Sequence, residues 1–180
     1  LDARWIELTR GYWALVDANL HDSLSRRSWH AHINRAHPRP YAVHNMTRDE
    51  AQVAGVQRRL VLMHREVMDA SVNVQVDHIN GNKLDNRRSN LRFATNSQNK
   101  MNCGLSKANM TGYKGVTWHK QLRRWWAHVT LNGVRHSLGT YVNIEDAAAA
   151  YDKVASRLHG EFVKSNFDLY QVDHKGKVRE

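Results

Sequence analysis

Few residue types are as scarce in this 180-residue chain as cysteine and proline, with one of the first and two of the second. The single thiol, Cys103, excludes an intramolecular disulfide framework and any four-sulfur zinc site, and it points to a reducing compartment, the cytoplasm. Apolar runs are short as well. None approaches the roughly 20 residues that cross a bilayer, so no membrane partner is expected. Negative charge is the third deficit: 17 Asp and Glu stand against 27 Lys and Arg, for a net charge of +10. Such a balance favours a polyanionic partner. The excess is uneven, since residues 1–70 hold 10 basic and 8 acidic side chains while residues 71–112 hold 6 and 2, and residues 113–167 hold 8 and 4.

The pattern of short β-prone runs and isolated helical stretches predicts an α+β fold. Trp5 to Leu8 and Tyr12 to Val16 flank Arg10-Gly11 and read as a hairpin. Asp17 or Asn19 can cap a short helix through Leu20 and Leu24. Strands are expected at Trp29 to Ile33 and Tyr41 to His44, with Pro38 and Pro40 in the turn between them. Residues 45–55 are polar and read as a loop, after which Arg58 to Met68 returns to apolar spacing. The run from Cys103 to Gly112 is small and polar and reads as a linker. Three strands and a helix follow, with Asn132-Gly133 as the strongest hairpin signal. The helix carries Ile144, Ala147, Ala148, Tyr151, Ala155 and Leu158 at three- and four-residue spacing, between Asn143 and Gly160.

Chemistry concentrates between Val76 and Asn102, VDHINGNKLDNRRSNLRFATNSQNKMN. Cleaving a phosphodiester needs a water deprotonated near neutral pH, a cation on the phosphate and stabilisation of the departing oxygen. His78 is the base candidate, because an imidazole beside positive charge stays neutral at pH 7. Asp77, on the opposite strand face or in a bulge, offers the hard oxygen that magnesium prefers. Asn99, in a helix capped by Thr95, would supply a second oxygen, and an all-oxygen pair selects Mg2+ or Mn2+ over zinc. Asn90 lies where an amide can pin the Asn80 to Ser89 loop. Asn80, Asn82 and Asp85 read as turn residues, and Asn86 and Asn102 as caps or braces. Arg87, Arg88 and Arg92 flank the site as candidates for the phosphates. His64 reads as packing beneath it. Among the remaining histidines, His30, His32 and His37 lack zinc-like spacing.

DHINGN, LDNR, SNLR and QNxxN together make residues 74–103 resemble the HNH endonuclease family, in its phage and intron-encoded branch. The resemblance implies a ββα-metal element with His78 as general base, Asn90 as structural residue, and Asp77 and Asn99 as metal ligands. Asn stands at the third position where the family's name has His.

Farther on, Trp125, Ala127, Val129 and Leu131 alternate with Arg124, Trp126, His128 and Thr130, so one strand face covers a helix and the other is basic and hydrogen-bonding. The pieces KGV, WxAHV, LGTY, EDAAAAYD and GEFVKSNF make residues 113–167 resemble the APETALA/ethylene-response-factor DNA-binding domain. That resemblance implies a three-stranded sheet that reads DNA through Thr117, His119, Arg124, Trp126, His128, Thr130, Arg135 and Ser137.

The expected organisation is therefore a β-rich supporting region at 1–70, the nuclease element at 71–103, a linker at 104–112, the DNA-binding domain at 113–167 and a tail at 168–180. The expected activity is hydrolysis of double-stranded DNA with one divalent metal ion, leaving 3'-hydroxyl and 5'-phosphate ends. One active site per chain cuts one strand per encounter, so a monomer, the favoured state, would nick while a dimer could break the duplex, and the sequence leaves both open. The expected place is the cytoplasm, of a host cell if phage-encoded. The alternative is a sequence-specific DNA-binding protein whose nuclease element is scaffolding.

Overall fold

A computed structural model describes residues 2–34, 37–55, 57, 60–106, 108–131 and 133–171. Among the described residues the chain is mixed α+β, with four small antiparallel sheets and several helices. It divides into two compact units, residues 1–96 and residues 97–180. No helix among the described residues is long and apolar enough to cross a membrane.

In the first unit, β1 (Ala3–Glu7) pairs with β2 (Trp13–Asp17) around a tight turn in which Arg10 and Gly11 both take positive φ. Helix α1 (Ala18–Leu24) follows at once, with Asp17 at its N-cap position. The Asp17 side chain makes no cap there and accepts instead from the Arg88 backbone N–H at 2.8 Å. A second sheet has β4 (His37–Asn45) between β3 (His30–Asn34) and β5 (Leu60–Leu62). The side chain of His37 and residues 58 and 132, which the sequence reading uses, lie outside the described residues.

Residues 45–55 are not simply a loop. Helix α2 (Arg48–Val53) forms there, closed by a reciprocal cap in which Thr47 Oγ1 accepts from Glu50 N and Glu50 Oε2 accepts from Thr47 N. Two otherwise orphaned helix N-terminal donors are satisfied this way, which overrides the polar composition. Beyond β5 comes α3 (Met63–Val67), then β6 (Gln75–His78) and β7 (Leu91–Ala94) paired to each other. One apolar core joins these pieces: Ile6, Leu8, Ala14 and Val16 of the first hairpin pack in the same cluster as Met63, Val67, Val76 and Leu91.

The second unit begins within α4 (Asn96–Asn102) and continues through β8 (Val116–His119), β9 (Arg124–Leu131) and β10 (Val134–Tyr141), with β9 central. Helix α5 (Ile144–His159) lays Ala147, Ala148, Tyr151 and Ala155 against Val116, Ala127 and Val129. A bulge between Ser137 and Gly139 inserts Leu138 into that interface. Helix α6 (Asn166–Gln171) is the last described element and runs into the stretch read as tail, whose residues 172–180 lie outside the described residues.

The described residues of 103–112 hold no helix or strand, yet they are wired to the sheet. Asn109 Oδ1 accepts from Thr111 N and Gly112 N, its Nδ2 donates to Tyr113 O, and Thr111 Oγ1 reaches the carbonyls of Tyr113 and Val116. Asn and Thr side chains replace the backbone partners that a loose connection would leave to water. Lys114 adds a buried clamp: its Nζ donates to the carbonyls of Met101 and Lys164, both at 2.9 Å. Burial pushes its ammonium down to about 8.

Candidate active site and nucleic-acid face

Period-two alternation along β6 sends Asp77 and His78 to opposite faces, in unbroken register with Arg92 and Leu91 across the ladder. Both side chains are buried. Asp77 Oδ2 receives Arg92 Nε at 3.3 Å and Arg92 Nη2 at 3.2 Å. Arg92, a phosphate candidate by sequence, is thus turned onto the carboxylate beside it.

The His78 ring lies 4.9 Å, centroid to centroid, from His64 on α3, edge to face, and Tyr41 flanks both rings. His64 therefore packs directly on the base candidate. Burial first, and the Lys83 ammonium second, lower His78 to about 4 against the opposing pull of Asn86, Asp77 and Asp85. Burial and the neighbouring His78 and Lys83 lower His64 to about 3. Both rings are neutral at pH 7, which a base requires.

The loop from Asn80 to Ser89 is held by side chains. Asn90 Oδ1 accepts from Asn80 N at 3.0 Å, and Asn90 Nδ2 donates to Asn80 Oδ1 at 3.0 Å and to Asp85 O at 2.8 Å. Asn80 Nδ2 donates to Asp85 Oδ2, and Asn82 Oδ1 accepts from Leu84 N. Arg87 grips Asp85 with two charged bonds of 2.8 and 2.7 Å. Burial acts to raise the Asp85 carboxyl, but the Arg87 guanidinium holds it below the ordinary value. Of the three flanking arginines, Arg88 is exposed while Arg87 and Arg92 are partly buried.

Sequence reasoning finds half the role of Asn86. Its amide does brace the backbone, Nδ2 donating to Leu84 O at 3.3 Å, but the fully buried side chain also meets His78 Nε2 at 3.2 Å, which the sequence does not signal. Asp17, 71 positions before Arg88, is missed as well, because nothing local signals so distant a bond.

Asn99 sits half-buried on α4, which begins just after Thr95. It belongs to the second unit, whereas Asp77 and His78 belong to the first. Taken singly, the Asp77 carboxylate and the Asn99 side-chain amide each carry an oxygen of the kind a hard divalent cation takes. Magnesium takes one or two protein oxygens and completes its shell from water and phosphate.

The exposed face of the C-terminal sheet is ordered around Trp126. Its Nε1 donates to Ser137 Oγ at 2.8 Å, the Arg135 guanidinium stands 5.7 Å from its ring centroid, and the His128 ring lies 4.8 Å away. Thr117, Arg124, Thr130, Arg135 and Ser137 are exposed, and His119 is half-buried. Thr140, opposite Trp126 in the register, joins the same row, a placement that the strand alternation alone does not reveal. His128 differs from expectation. It shares the outward face, but its neighbours cover it to 9% exposure, and that burial, then Arg135, lowers its pKa.

Comparison with known proteins matches these two regions separately. The HNH endonuclease family model covers residues 71–101, and the AP2 domain model covers residues 111–161. Over 89 residues the chain is 35% identical to Protein 3.8 of Escherichia phage T7, across 49% of this chain and 73% of that protein. It is 39% identical over 93 residues to an uncharacterized HNH endonuclease of Acanthamoeba polyphaga mimivirus, across 52% of this chain and 47% of that protein. An AP2-like ethylene-responsive transcription factor of Oryza sativa is 40% identical over 63 residues, across 34% of this chain and 10% of the plant protein. No solved structure matches the chain. With Asp77, His78 and Asn90 standing inside the first matched segment and the Trp126 face inside the second, the chain belongs to the HNH endonuclease family and carries an AP2 domain.

Proposed function

We propose that this nuclease hydrolyses phosphodiester bonds of double-stranded DNA with one divalent metal ion, Mg2+ or Mn2+, and that the AP2 sheet chooses where on DNA it acts. The observation that carries the reading is His78, neutral and held from the side by Asn86, one residue from a buried carboxylate. In this reading His78 takes the proton of the attacking water, and Asn90 keeps the loop that frames it. Asp77 and Asn99 are the residues that would hold the ion. When bound, the ion neutralises charge on the scissile phosphate and the departing 3' oxygen. The products are a 3'-hydroxyl and a 5'-phosphate. One such centre per chain cuts one strand per encounter, so a monomer nicks.

On the DNA-binding side, Arg124, Arg135, Thr117, Thr130 and Ser137 are exposed on one sheet face, with Trp126 fixed among them as a stacking platform. Exposed Arg88 is the best placed of the loop arginines to meet a phosphate. A supercoiled-plasmid assay with magnesium tests the reading. Wild-type chain should relax the plasmid, and His78→Ala should lose at least about 100-fold in rate, the lower end of general-base contributions, while gel-shift binding persists. Equal cleavage by the variant would remove His78 from the role. Binding without cleavage by the wild-type chain would favour a DNA-binding protein built on a nuclease scaffold.

A further inference from the structure

We propose that Asn86 is the positioning residue of the nuclease centre, and that the N-terminal hairpin holds it in place by adding a strand edge to the catalytic loop. The inference rests on the nuclease reading for its consequence and on the geometry of residues 13–17 and 78–88 for its substance.

The orientation of the amide is determined by its own bonds. Asn86 Nδ2 donates to Leu84 O at 3.3 Å, so Oδ1 is the atom that faces His78 Nε2 at 3.2 Å. An amide oxygen only accepts. Nε2 must therefore carry the proton, and in a neutral imidazole that leaves the basic lone pair on Nδ1. An apolar side chain at position 86 would leave this choice between ring nitrogens unmade and allow the ring to turn.

The backbone of Asn86 is held from the N-terminal side. Asn86 N donates to Leu15 O at 2.7 Å, Leu15 N donates to Leu84 O at 2.8 Å, and Leu15 and Asp85 form a parallel bridge. Arg88 N is caught two residues later by the Asp17 carboxylate. Residues 84–88 are thus docked along the edge of β2 that β1 does not use, and Ala14 and Val16 anchor that strand in the core. A strand edge offers a row of unpaired donors and acceptors that binds backbone in one register. Register matters here, because a slip of one residue would turn Asn86 away from the ring. The hairpin lies outside the matched HNH segment, yet it sets the place of the residue that orients the base.

Three variants of the full chain test this: Asn86→Leu, similar in length but without an acceptor; Asn86→Ala, should Leu not fit; and Asp17→Ala, which removes the hairpin's side-chain hold. Nitrogen-15 spectra of the histidine rings, taken without metal at neutral pH, report which nitrogen of His78 is protonated. Wild-type protein should show the proton on Nε2. The position-86 variant should show a mixture of tautomers and nick plasmid about 100-fold more slowly with unchanged DNA binding, and Asp17→Ala should move both readouts in the same direction by less. A wild-type proton on Nδ1, or a folded position-86 variant that keeps the Nε2–H signal or the wild-type rate, would overturn the assignment. An Asp17→Ala protein identical to wild type in both would remove the hairpin from it. Should the wild-type chain cut no DNA, the nuclease reading fails, while the ring spectra still decide whether Asn86 orients His78.

Discussion

The catalytic loop and the DNA-facing sheet obtain their rigidity from opposite kinds of interaction. Between Asp77 and Asn90 the scaffold is polar: buried amides and carboxylates satisfy one another and the backbone, and Asn90 alone makes three such bonds. The sheet is rigid from beneath, where small apolar residues of α5 let the helix sit close on β8 and β9. A polar network specifies geometry strictly and fails badly when one member is removed, whereas an apolar interface tolerates change on its outer face. A catalytic base needs the first kind of support, and a surface that reads DNA is free to vary on the second.

The sharpest break in this comparison should come at Gly115. Its φ is +66°, and a Cβ there would overlap the Tyr151 ring and stand 2.6 Å from the His128 carbonyl oxygen. Gly115→Ala should destabilise the second unit by about 2–6 kcal/mol, the sum of backbone strain and overpacking. Hydrogen exchange resolved by residue should show β9 amides losing protection while β6 amides keep theirs.

The reverse experiment is Asn90→Ala. It strands the Asn80 N–H and one bond to the Asp85 carbonyl, each worth about 1–3 kcal/mol when buried and unmade. Protection should now fall in residues 79–90 and hold in β9, and nicking should fall with it.

Acid should separate the units next. The unfolded chain takes protons on His64 and His78 near pH 6.5, but the folded chain refuses them until about 3 and about 4. Stability is therefore fully present above pH 6.5 and declines as pH falls, by up to about 1.4 kcal/mol per pH unit for each histidine. Urea titrations at pH 7, 6, 5 and 4 should show this slope for β6 and β7, and His64→Gln should remove about half of it. The smallest effect is expected on the sheet. Arg135→Ala should leave protection unaltered, weaken DNA binding several-fold and reduce the salt slope of log affinity by about 1, the change expected when one phosphate-neutralising side chain is removed.

Much of the ββ element is legible because its residues are close in sequence. Asp77, His78 and Asn90 lie on one hairpin, so alternation and turn chemistry alone put them on β6 and at the base of the loop. The β9 alternation is legible for the same reason, as is the apolar spacing of α5. Helix α2 is not, since its cap is a reciprocal bond between Thr47 and Glu50 that composition does not reveal. Nor is the wiring of residues 109–116, where single Asn and Thr side chains replace a ladder.

The amino-acid sequence by itself determined the inventory of the centre: a carboxylate, an imidazole and several amides at spacings that one hairpin and one helix can use, followed by a basic strand face. Only the tertiary structure decided how that inventory is deployed. Long-range packing put His64 against His78 and buried both, and burial is what keeps them neutral. It brought Leu15 and Asp17 to residues 84–88, so that Asn86 faces the base. It also turned Arg92 and Arg87 onto carboxylates and covered His128. The physical reason is common to all of these. Spacing along the chain governs which side chains share a face, but desolvation and partner choice depend on what arrives from elsewhere in the fold.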